Sequence, residues 1–403
     1  MYSSGRLNFE YLIFPIETEQ FFNKYWEKDI LYIKRSTQKY YDKIFKLSDL
    51  NDYLSRSDIR YPDLRLISNG AELPLDEYSY SYTYGNNVFQ GNISIDKVFN
   101  LYQNGATINL QLTQRNIKKL SHFSNILEFF LKSKVQINLF LTPAFSQGFT
   151  VHYDTHSVII MQIHGSKTWK IYDKRVNLPL VRDIEYDDEV KINNKYPHKE
   201  IILKEGDFLY VPKGVYHEAY TTDEDSLSIT IGLHPKSWND IFHYVIDEIS
   251  KNCDMMRSSP IQDVINNNFV SLENKFNEII QYINTYKNIE ETFKNLEREN
   301  FLNQITDNEN RLINLINIKH INQYTKVKKN KNIAILQLND NHISMIFNQK
   351  EINFPLTIKE ELLFILNQEH DFIINDISNE LDNNSKIFLI KLLIKEGYLR
   401  VVF

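Results

Sequence analysis

Short strand-like runs, each ended by a turn residue, dominate the middle of this 403-residue chain. From about residue 135 to residue 235 they follow one another closely as VQINLFLTP, VIIMQIHG, KTWKIYD, HKEIILKEGDFLYVP and SLSITIGLH. Gly, Pro, Asp or Asn separates most of the runs, a spacing that is typical of antiparallel barrels and jelly rolls. The pattern therefore predicts a β-barrel or jelly roll at the centre of the protein.

Helical and mixed segments flank this β-rich block, so we expect an α+β protein with two or three domains. Residues 17–60 carry apolar positions at helical spacing and include a short β-like run at 30–33. Residues 237–320 are polar, with apolar residues at intervals of three and four, which indicates amphipathic helices. After the basic link KVKKNKN, the sequence predicts a hairpin and three short helices.

Composition narrows the class of protein. Hydrophobic residues make up 42% of the chain, enough for packed cores, and the formal charge of −6 provides no global basic field for nucleic acid. The single cysteine, Cys253, excludes an internal disulfide framework. No run approaches the roughly 18 apolar residues of a membrane span, and the first residues lack a secretory signal pattern. We therefore expect a cytoplasmic protein that does not bind membranes.

The segment HYDTH contains the start of a potential metal site. His152 and Asp154 are two residues apart, so on a strand both side chains project to the same face. The third ligand has to come from another strand, and the best candidate is His217 in GDFLYVPKGVYHEA. Two imidazoles and one carboxylate leave three positions of an octahedral metal free, which suits Fe(II). An HxD pair alone is common in turns, and its combination with the second segment carries the prediction.

The last strand-like run, SLSITIG, has one small, polar face and one apolar face. The two sets that alternate along it are Ser226, Ser228, Thr230 and Gly232 on the first face and Leu227, Ile229 and Ile231 on the second. A purely hydrophobic core does not favour hydroxyl groups at every second position. The alternation therefore predicts a barrel interior that holds a polar ligand.

Together these segments resemble the JmjC-type 2-oxoglutarate oxygenases of the ribosomal oxygenase group, also called cupin-4 proteins. The matching stretches are FFNKYWEKDILYIKR, LSRSDIRYPDLRL, NLFLTPAFSQGFTVHYDTHSVIIMQIHGSKTWKIYD, GDFLYVPKGVYHEA and SLSITIGL, which cover most of residues 15–235. The resemblance implies a double-stranded β-helix, the cupin or JmjC jelly roll, with an N-terminal α/β elaboration in residues 1–236 and its barrel core at about 135–235. It also implies a helical region at 237–325 that forms a homodimer and a C-terminal winged-helix-like domain at 326–403.

The resemblance assigns roles to individual residues. By position, His152, Asp154 and His217 match the ligands of Fe(II) in this family. Lys167 stands where the family places the basic residue that pairs with the distal carboxylate of 2-oxoglutarate, which is a cosubstrate together with dioxygen. Burial of a lone lysine among apolar neighbours agrees with this role, because the charge needs a fixed anion. Without the resemblance, Lys167 would be interpreted as a solvent-facing strand residue.

Further positions concern the cosubstrate and the surroundings of the metal. The resemblance makes Asn138 and Thr230 secondary contacts to 2-oxoglutarate. Phe140 departs from the family, since relatives often have a tyrosine there, and one expected hydrogen bond lacks its hydroxyl group. His156 shares the strand parity of the ligands, but three ligands already complete the set, so a supporting role is expected. His164 has the opposite parity and is assigned no function.

The expected function is Fe(II)- and 2-oxoglutarate-dependent hydroxylation of an amino-acid side chain, Arg or His, in a ribosomal protein or another polypeptide. Two alternatives within the enzyme class stay open: a tailoring hydroxylase of a small ribosomally made peptide, and demethylation of N-methyl-lysine. A third alternative is a non-catalytic cupin-like module that binds protein or nucleic acid. The C-terminal domain has many acidic residues and no helix with clustered Arg and Lys, which disfavours a nucleic-acid partner.

Two segments combine tyrosines with acidic residues, namely DEYSYSYTYG and RDIEYDDEV. Acidic groups attract cations and aromatic faces hold the side chains of Arg and Lys, so either segment is a candidate surface for a basic peptide. Ordinary solvated loops are the equally open alternative.

Overall fold

The computed structural model describes residues 7–35, 37–56, 58–181, 199–377 and 380–402. The α-helices are α1 (Phe9–Ile13), α2 (Thr18–Gln20), α3 (Leu47–Leu54), α4 (Leu75–Tyr78), α5 (Ile95–Gln103), α6 (Lys118–Leu131), α7 (Trp238–Ser250), α8 (Asp254–Arg257), α9 (Ile261–Ile265), α10 (Phe269–Asn284), α11 (Ile289–Leu302), α12 (Arg311–Asn317), α13 (Lys359–Asn367) and α14 (Asn383–Lys395). A π-helical turn continues α2 through Phe21–Tyr25.

The strands follow the predicted runs closely in the middle of the chain. They are β1 (Leu31–Ile33), β2 (Leu64–Ser68), β3 (Ala71–Glu72), β4 (Ser79–Tyr84), β5 (Asn87–Ile93), β6 (Thr107–Leu110), β7 (Lys134–Thr142), β8 (Ser157–Arg175), β9 (Lys199–Lys204), β10 (Phe208–Val211), β11 (Val215–Tyr220), β12 (Ser226–His234), β13 (Lys326–Lys329), β14 (Ile335–Leu338), β15 (Ile343–Phe347), β16 (Lys350–Phe354), β17 (Phe372–Ile373) and β18 (Leu399–Val401). The acidic segment RDIEYDDEV and His198 lie outside the described residues.

Ten strands form the central sheet in the order β1-β10-β8-β12-β7-β6-β2-β3, with β9 and β11 also paired to β8. The pairs are antiparallel throughout, and the arrangement confirms the predicted jelly roll. The runs VIIMQIHG and KTWKIYD are not separate strands but two parts of the 19-residue strand β8. The first part of β8 pairs with β10 and β12, and the second part pairs with β9 and β11.

The apolar core lies between the central sheet and the N-terminal helices. Phe9 of α1 and Phe123 of α6 are fully buried in it together with Ile229 and Ile231 of β12. The alternation predicted for β12 is therefore present, because the apolar side chains face this core while Ser228 and Thr230 line an internal cavity. The helices thus cover one face of the sheet and leave the other face free to line the cavity.

Residues 237–320 are helical, as predicted, and comprise α7 to α12. The C-terminal part has its own apolar core, which α13 and α14 share with two three-stranded sheets in the orders β17-β13-β18 and β14-β15-β16. The predicted hairpin is a three-stranded meander, and in the described residues after it two α-helices and two short 3₁₀ helices take the place of the three predicted helices. Among the described residues, no helix combines the length and the apolar character needed to cross a membrane.

Gly165 allows β8 to pass from one group of neighbours to the other. Its φ is +63°, and a Cβ at this position would lie 1.8 Å from the backbone oxygen of Asp225. We expect Gly165→Ala to destabilise the fold by about 1–2 kcal/mol through the left-handed backbone and by about 1–3 kcal/mol more through this overlap. Gly85→Ala is the matched control, since Gly85 has a φ of +57° and open space around it. Thermal unfolding of the two variants would show equal midpoints if the overlap were relieved without cost.

Candidate metal centre

Three side chains converge on one side of the barrel cavity. His152 and Asp154 lie on the segment between β7 and β8, and His217 lies on β11. Their ligand atoms all lie within 4.8 Å of one another, and Nε2 of His217 is 3.7 Å from Oδ2 of Asp154. In the part of the chain that the structure describes, no other group of three His, Cys, Asp or Glu side chains has this spacing. The structure thus brings together the three residues that the sequence singles out.

The expectation that His152 and Asp154 lie on a strand is wrong. Both residues belong to an irregular segment before β8. Backbone hydrogen bonds to β11 and to the residues just before β11 hold this segment in place. The N–H of His152 donates to the carbonyl of His217 at 3.0 Å, and the N–H of His217 donates back at 2.8 Å. The N–H of Gly214 donates to the carbonyl of Asp154 at 2.8 Å. Hydrogen bonds between segments distant in sequence therefore position the two ligands, instead of the regular strand that was expected.

Both imidazoles are oriented by backbone carbonyls. Nδ1 of His152 lies 2.7 Å from the carbonyl oxygen of Thr150, and Nδ1 of His217 lies 2.9 Å from that of Val215. Because a carbonyl only accepts, each Nδ1 carries the hydrogen and each Nε2 keeps its lone pair for a metal. Burial, followed by the neighbouring His152, lowers the pKa of His217 to about 4, so this ring is neutral at neutral pH. Neutral imidazole is the form that binds a metal.

The three ligands open onto a cavity of about 210 Å³ inside the barrel. Its polar wall is formed by strands β6, β7 and β12, and its apolar surface is formed largely by aromatic side chains. The polar lining residues are Thr107, Asn109, Gln111, Gln136, Asn138, Ser228 and Thr230. The apolar ones are Phe140, Phe149, Val158, Trp169 and Ala219. A polar wall that faces a potential metal site is suited to a small, charged ligand that also contacts the metal.

Lys167 lines the same cavity and is almost fully buried. Its ammonium group donates to the hydroxyl of Thr142 at 2.9 Å and lies 5.9 Å from the centre of the Phe140 ring. The ion pairs found among the described residues include none for Lys167, and burial lowers its pKa to about 8. A buried cation with a hydroxyl but no anion is costly. The cavity therefore fits a ligand that carries a carboxylate to Lys167, as a dicarboxylate on the metal would.

Thr142 and Thr107 support Lys167, and sequence reasoning missed both. The hydroxyl of Thr107 donates to the hydroxyl of Thr142 at 3.1 Å, and both side chains are fully buried. This orders the oxygen that accepts from Lys167. Strand alternation in the sequence could have indicated Thr142, since it lies on the same face of β7 as Asn138 and Phe140.

Asn138 and Thr230 lie directly opposite each other in the pairing of β7 with β12, and both line the cavity. Oδ1 of Asn138 accepts from the backbone N–H of Leu112 at 3.1 Å and from the amide of Gln136 at 3.2 Å. These bonds fix the orientation of the Asn138 carboxamide, with Oδ1 directed at the two donors and Nδ2 on the opposite side. Asn138 is therefore placed to donate to a ligand rather than to accept from it.

His156 and His164 are not part of the metal site. The ring of His156 lies 4.4 Å from that of His234, measured between centroids, and burial lowers the pKa of both residues. A Cβ on Gly232 would lie 2.8 Å from the His156 ring, so the glycine makes room for it. His164 is on β8 with a half-exposed side chain, 3.9 Å from Glu205. His156 packs beside the ligands, and His164 faces away from the cavity.

Two further lining residues were not predicted. The ring of Trp169 lies 5.7 Å from the ring of His217, and its indole N–H is buried without a hydrogen-bond partner. Oδ1 of Asn109 is buried without a donor in the same cavity. Unsatisfied buried polar atoms are costly, and a bound ligand is one way to satisfy them. Trp169 shares strand parity with Lys167, which is the signal that the sequence offered.

Comparison with known proteins agrees with this geometry. Residues 109–241 match the JmjC domain family. Over 250 residues the chain is 34% identical to ribosomal oxygenase 2 of Rattus norvegicus, a match that covers 60% of this chain and 50% of the relative. Over 264 residues it is 26% identical to the bifunctional lysine-specific demethylase and histidyl-hydroxylase NO66 of Aedes aegypti, with 64% and 40% covered. The chain thus spans about half the length of the curated relatives that it matches.

A solved structure shows the same fold. The crystal structure of the Escherichia coli ribosomal oxygenase YcfD superposes with a TM-score of 0.54, at 15% identity, over 96% of this chain and 98% of that one. Another structure of YcfD, with a TM-score of 0.53, contains cobalt and 2-oxoglutarate. Together with the sequence matches, this confirms the resemblance to JmjC proteins of the ribosomal oxygenase group.

The three converging side chains generate a prediction about metal binding. Replacing His152 or Asp154 with alanine is expected to weaken binding of Mn(II) or Co(II) by at least about a hundredfold, because each change removes one of three ligands. His156→Ala is the control, since this neighbouring histidine is not a ligand and binding of one metal ion per chain should persist. Titration calorimetry would measure both. Equal losses in the His156 and His152 variants would contradict the assignment of the ligands.

Proposed function

We propose that this chain, whose residues 109–241 form a JmjC domain, is an Fe(II)- and 2-oxoglutarate-dependent oxygenase that hydroxylates an Arg or His side chain of a ribosomal protein or another polypeptide. The observation that carries the proposal is one cavity that contains both the His152–Asp154–His217 set and the buried cation of Lys167. A metal site alone fits many reactions. The unpaired lysine adds the requirement for a cosubstrate with a second, distant negative charge.

His152, Asp154 and His217 would hold Fe(II) and leave three coordination positions for cosubstrate and dioxygen. Bound there, Fe(II) supplies the redox chemistry that couples oxidative decarboxylation of 2-oxoglutarate by dioxygen to hydroxylation of a C–H bond, with succinate and carbon dioxide as the other products. The protein contributes orientation. The carbonyls of Thr150 and Val215 hold the two imidazoles with Nε2 free.

Lys167 would bind the distal carboxylate of 2-oxoglutarate, with Thr142 holding the ammonium group in place. The carboxylate would raise the pKa of Lys167 from its lowered value, since an opposite charge favours the protonated form. Asn138 and Thr230 would donate to the ligand from the polar wall. Phe140 and Trp169 would supply apolar surface beside Lys167 and His217, respectively, when the cosubstrate is bound.

The polypeptide substrate is inferred from the relatives. The names of two of them, ribosomal oxygenase 2 and the histidyl-hydroxylase NO66, indicate oxidation of protein side chains. The second name also includes lysine-specific demethylase activity, so demethylation of methyl-lysine is the second candidate for this site. The two reactions are distinguished by the mass of the product, because hydroxylation adds one oxygen atom and demethylation removes one methylene.

We further propose that residues 237–325 mediate homodimerisation and that residues 326–403 form a separate winged-helix-like domain. The amphipathic helix α10 supports the first proposal, because none of its residues is buried within the chain. Phe269, Val270 and Phe276 are 70%, 70% and 62% exposed, and Ile280 lies one turn beyond Phe276. Aromatic and aliphatic side chains at this spacing form a stripe that a second copy of the helical region would cover. The separate C-terminal core supports the second proposal.

The test of the oxygenase is turnover of the cosubstrate. With Fe(II) and dioxygen, the protein is expected to form succinate from 2-oxoglutarate slowly even without substrate, and Asp154→Ala is expected to form none. Lys167→Met should raise KM for 2-oxoglutarate by about thirtyfold or more, the cost of removing one partner of a buried charge pair. Succinate formation by Asp154→Ala at the wild-type rate would exclude the proposed site.

The same assay has a pH dependence whose sign is determined by Lys167. Burial lowers the pKa of Lys167 to about 8 in the free protein, and the dicarboxylate binds to the protonated form. KM should therefore be flat below about pH 8 and rise by up to about tenfold per pH unit above it. Lys167→Arg keeps its charge throughout this range, so its profile should lack the rise and report only the pH dependence of the metal.

The dimer is tested by light scattering coupled to size exclusion. The wild-type protein is expected to show twice the mass of one chain at micromolar concentration. Phe276→Asp places a charge in the α10 stripe and should shift the protein toward the monomer, whereas Asn277→Asp adds the same charge to an exposed neighbour outside the stripe. A monomeric wild-type protein, or equal effects of the two substitutions, would contradict the proposal.

A further inference from the structure

Strands β4 and β5 form a hairpin that stands apart from the central sheet. They pair with each other, and within the described residues only an isolated bridge between Arg60 and Asn92 adds to this small sheet. The base of the hairpin is anchored, since Tyr78, Asn92 and Ile93 are buried. Its outer part, 81–88, is exposed at every position. The hairpin is thus fixed at its base and projects into solvent.

One face of the hairpin is aromatic. Tyr80, Tyr82 and Tyr84 alternate with small hydroxyl residues along β4, and Phe89 of β5 lies directly opposite Tyr82. The rings of Tyr82 and Phe89 are stacked with their centroids 4.9 Å apart, and those of Tyr80 and Tyr82 are stacked at 6.2 Å. Tyr80, Tyr82 and Tyr84 are 44%, 44% and 78% exposed. We call these four rings the aromatic face.

The aromatic face is not explained by the packing of this chain. A two-stranded hairpin is at best marginally stable in water, and stacked rings on it would ordinarily be covered by another element. The chain itself supplies one contact, because the guanidinium group of Arg60 lies 5.8 Å from the centre of the Phe89 ring. This is the geometry of a cation–π interaction. One of the four rings, Phe89, is therefore already in contact with a guanidinium group.

Charge favours the same class of ligand. Residues 71–96, which include the whole hairpin, contain four acidic residues and no Lys or Arg. Two of the four, Asp76 and Glu77, directly precede the first strand of the hairpin and are exposed, whereas Glu72 forms an ion pair with Arg65 at 3.2 Å. An acidic surface attracts a basic segment and repels a phosphate backbone. The combination of acidic groups and open ring faces selects Arg and Lys side chains over nucleic acid.

The hairpin is connected to the metal centre through its base. It begins directly after β3 and α4, and the turn before β3 is bonded to the segment that leads to His152. The N–H groups of Asn69 and Gly70 donate to the carbonyls of Gln147 and Gly148 at 3.2 and 2.6 Å. Gly70 also packs closely against Thr150, and the carbonyl of Thr150 orients the His152 ring. A peptide bound to the hairpin would therefore contact a part of the chain that is hydrogen-bonded to the segment carrying His152.

We propose that the aromatic face, together with the adjacent acidic residues, binds an Arg- or Lys-bearing segment of the polypeptide substrate. That the bound polypeptide is then oxidised rests on the proposed function, but the binding step does not. The rings supply contact area at low entropic cost, and the acidic residues at the base attract the cation. The hairpin would select basic polypeptides before any side chain enters the cavity.

The experiment uses a short fluorescein-labelled peptide of Arg–Gly repeats as the probe, with the whole 403-residue chain and without Fe(II) or 2-oxoglutarate. Fluorescence polarisation is expected to show binding, and Tyr82→Ser/Tyr84→Ser should weaken it by about five- to thirtyfold through the loss of two cation–π contacts. Ser81→Ala/Thr83→Ala changes the opposite face of the same strand and should alter the affinity by less than about twofold. Asp76→Asn/Glu77→Gln leaves the rings intact and should weaken binding more at low salt than at high salt.

Several results would overturn the proposal. These are a wild-type protein that does not bind the Arg–Gly peptide, equal losses in the two strand variants, or equal binding of a Gln–Gly repeat peptide. Tighter binding of a single-stranded RNA, lost in the tyrosine variant, would reassign the face to nucleic acid. Because the titration contains no metal or cosubstrate, these outcomes are independent of succinate formation. Loss of succinate formation would overturn the proposed oxygenase and leave the hairpin result unchanged.

Discussion

The continuity of strand β8 is the constraint on which the site depends. Its 19 residues pair with β10 and β12 at one end and with β9 and β11 at the other, and Gly165, with a φ of +63°, lies where the two sets of pairings meet. The strand therefore places Lys167 and Trp169 in the same cavity as His217 of β11. An ordinary residue at Gly165 would meet the backbone oxygen of Asp225 and disturb both groups of strands at once.

The electrostatics of the cavity are incomplete in a way that defines its ligand. His217 is held neutral by burial, Asp154 provides one negative charge at the metal side, and Lys167 provides an isolated positive charge. A divalent metal ion bound to these ligands would leave a net positive charge at the metal, in addition to the positive charge of Lys167. A dianion that bridges the metal and Lys167 would neutralise both and satisfy buried donors such as the indole N–H of Trp169. The cavity is thus more complementary to a dicarboxylate on a metal than to the metal alone.

Much of this was predictable from the sequence, because alternation along strands reports which side chains share a face. The polar face of β12 and the choice of His217 as the partner of the HxD pair follow from parity and turn signals, whereas Asn138 and Thr230 were assigned by the family resemblance. What the sequence could not supply was non-local pairing. The HxD segment was expected on a strand, but backbone bonds to β11 and Gly214 hold it instead. The support of Lys167 by Thr142 and Thr107 likewise depends on neighbours that only the folded sheet defines.

The two exposed surfaces, the α10 stripe and the aromatic face of the hairpin, differ in chemistry. They are therefore suited to different kinds of partner. The α10 stripe consists of Phe, Val and Ile on a helix with no buried residue, so it is suited to an apolar partner, which a second copy would supply in the proposed dimer. The aromatic face of the hairpin consists of three tyrosines and Phe89 beside acidic residues, and the hydroxyl group of each tyrosine can bind water when no partner is present. Its partner therefore does not need to be permanent. A surface that tolerates exposure between encounters is what binding and release of successive polypeptide substrates requires.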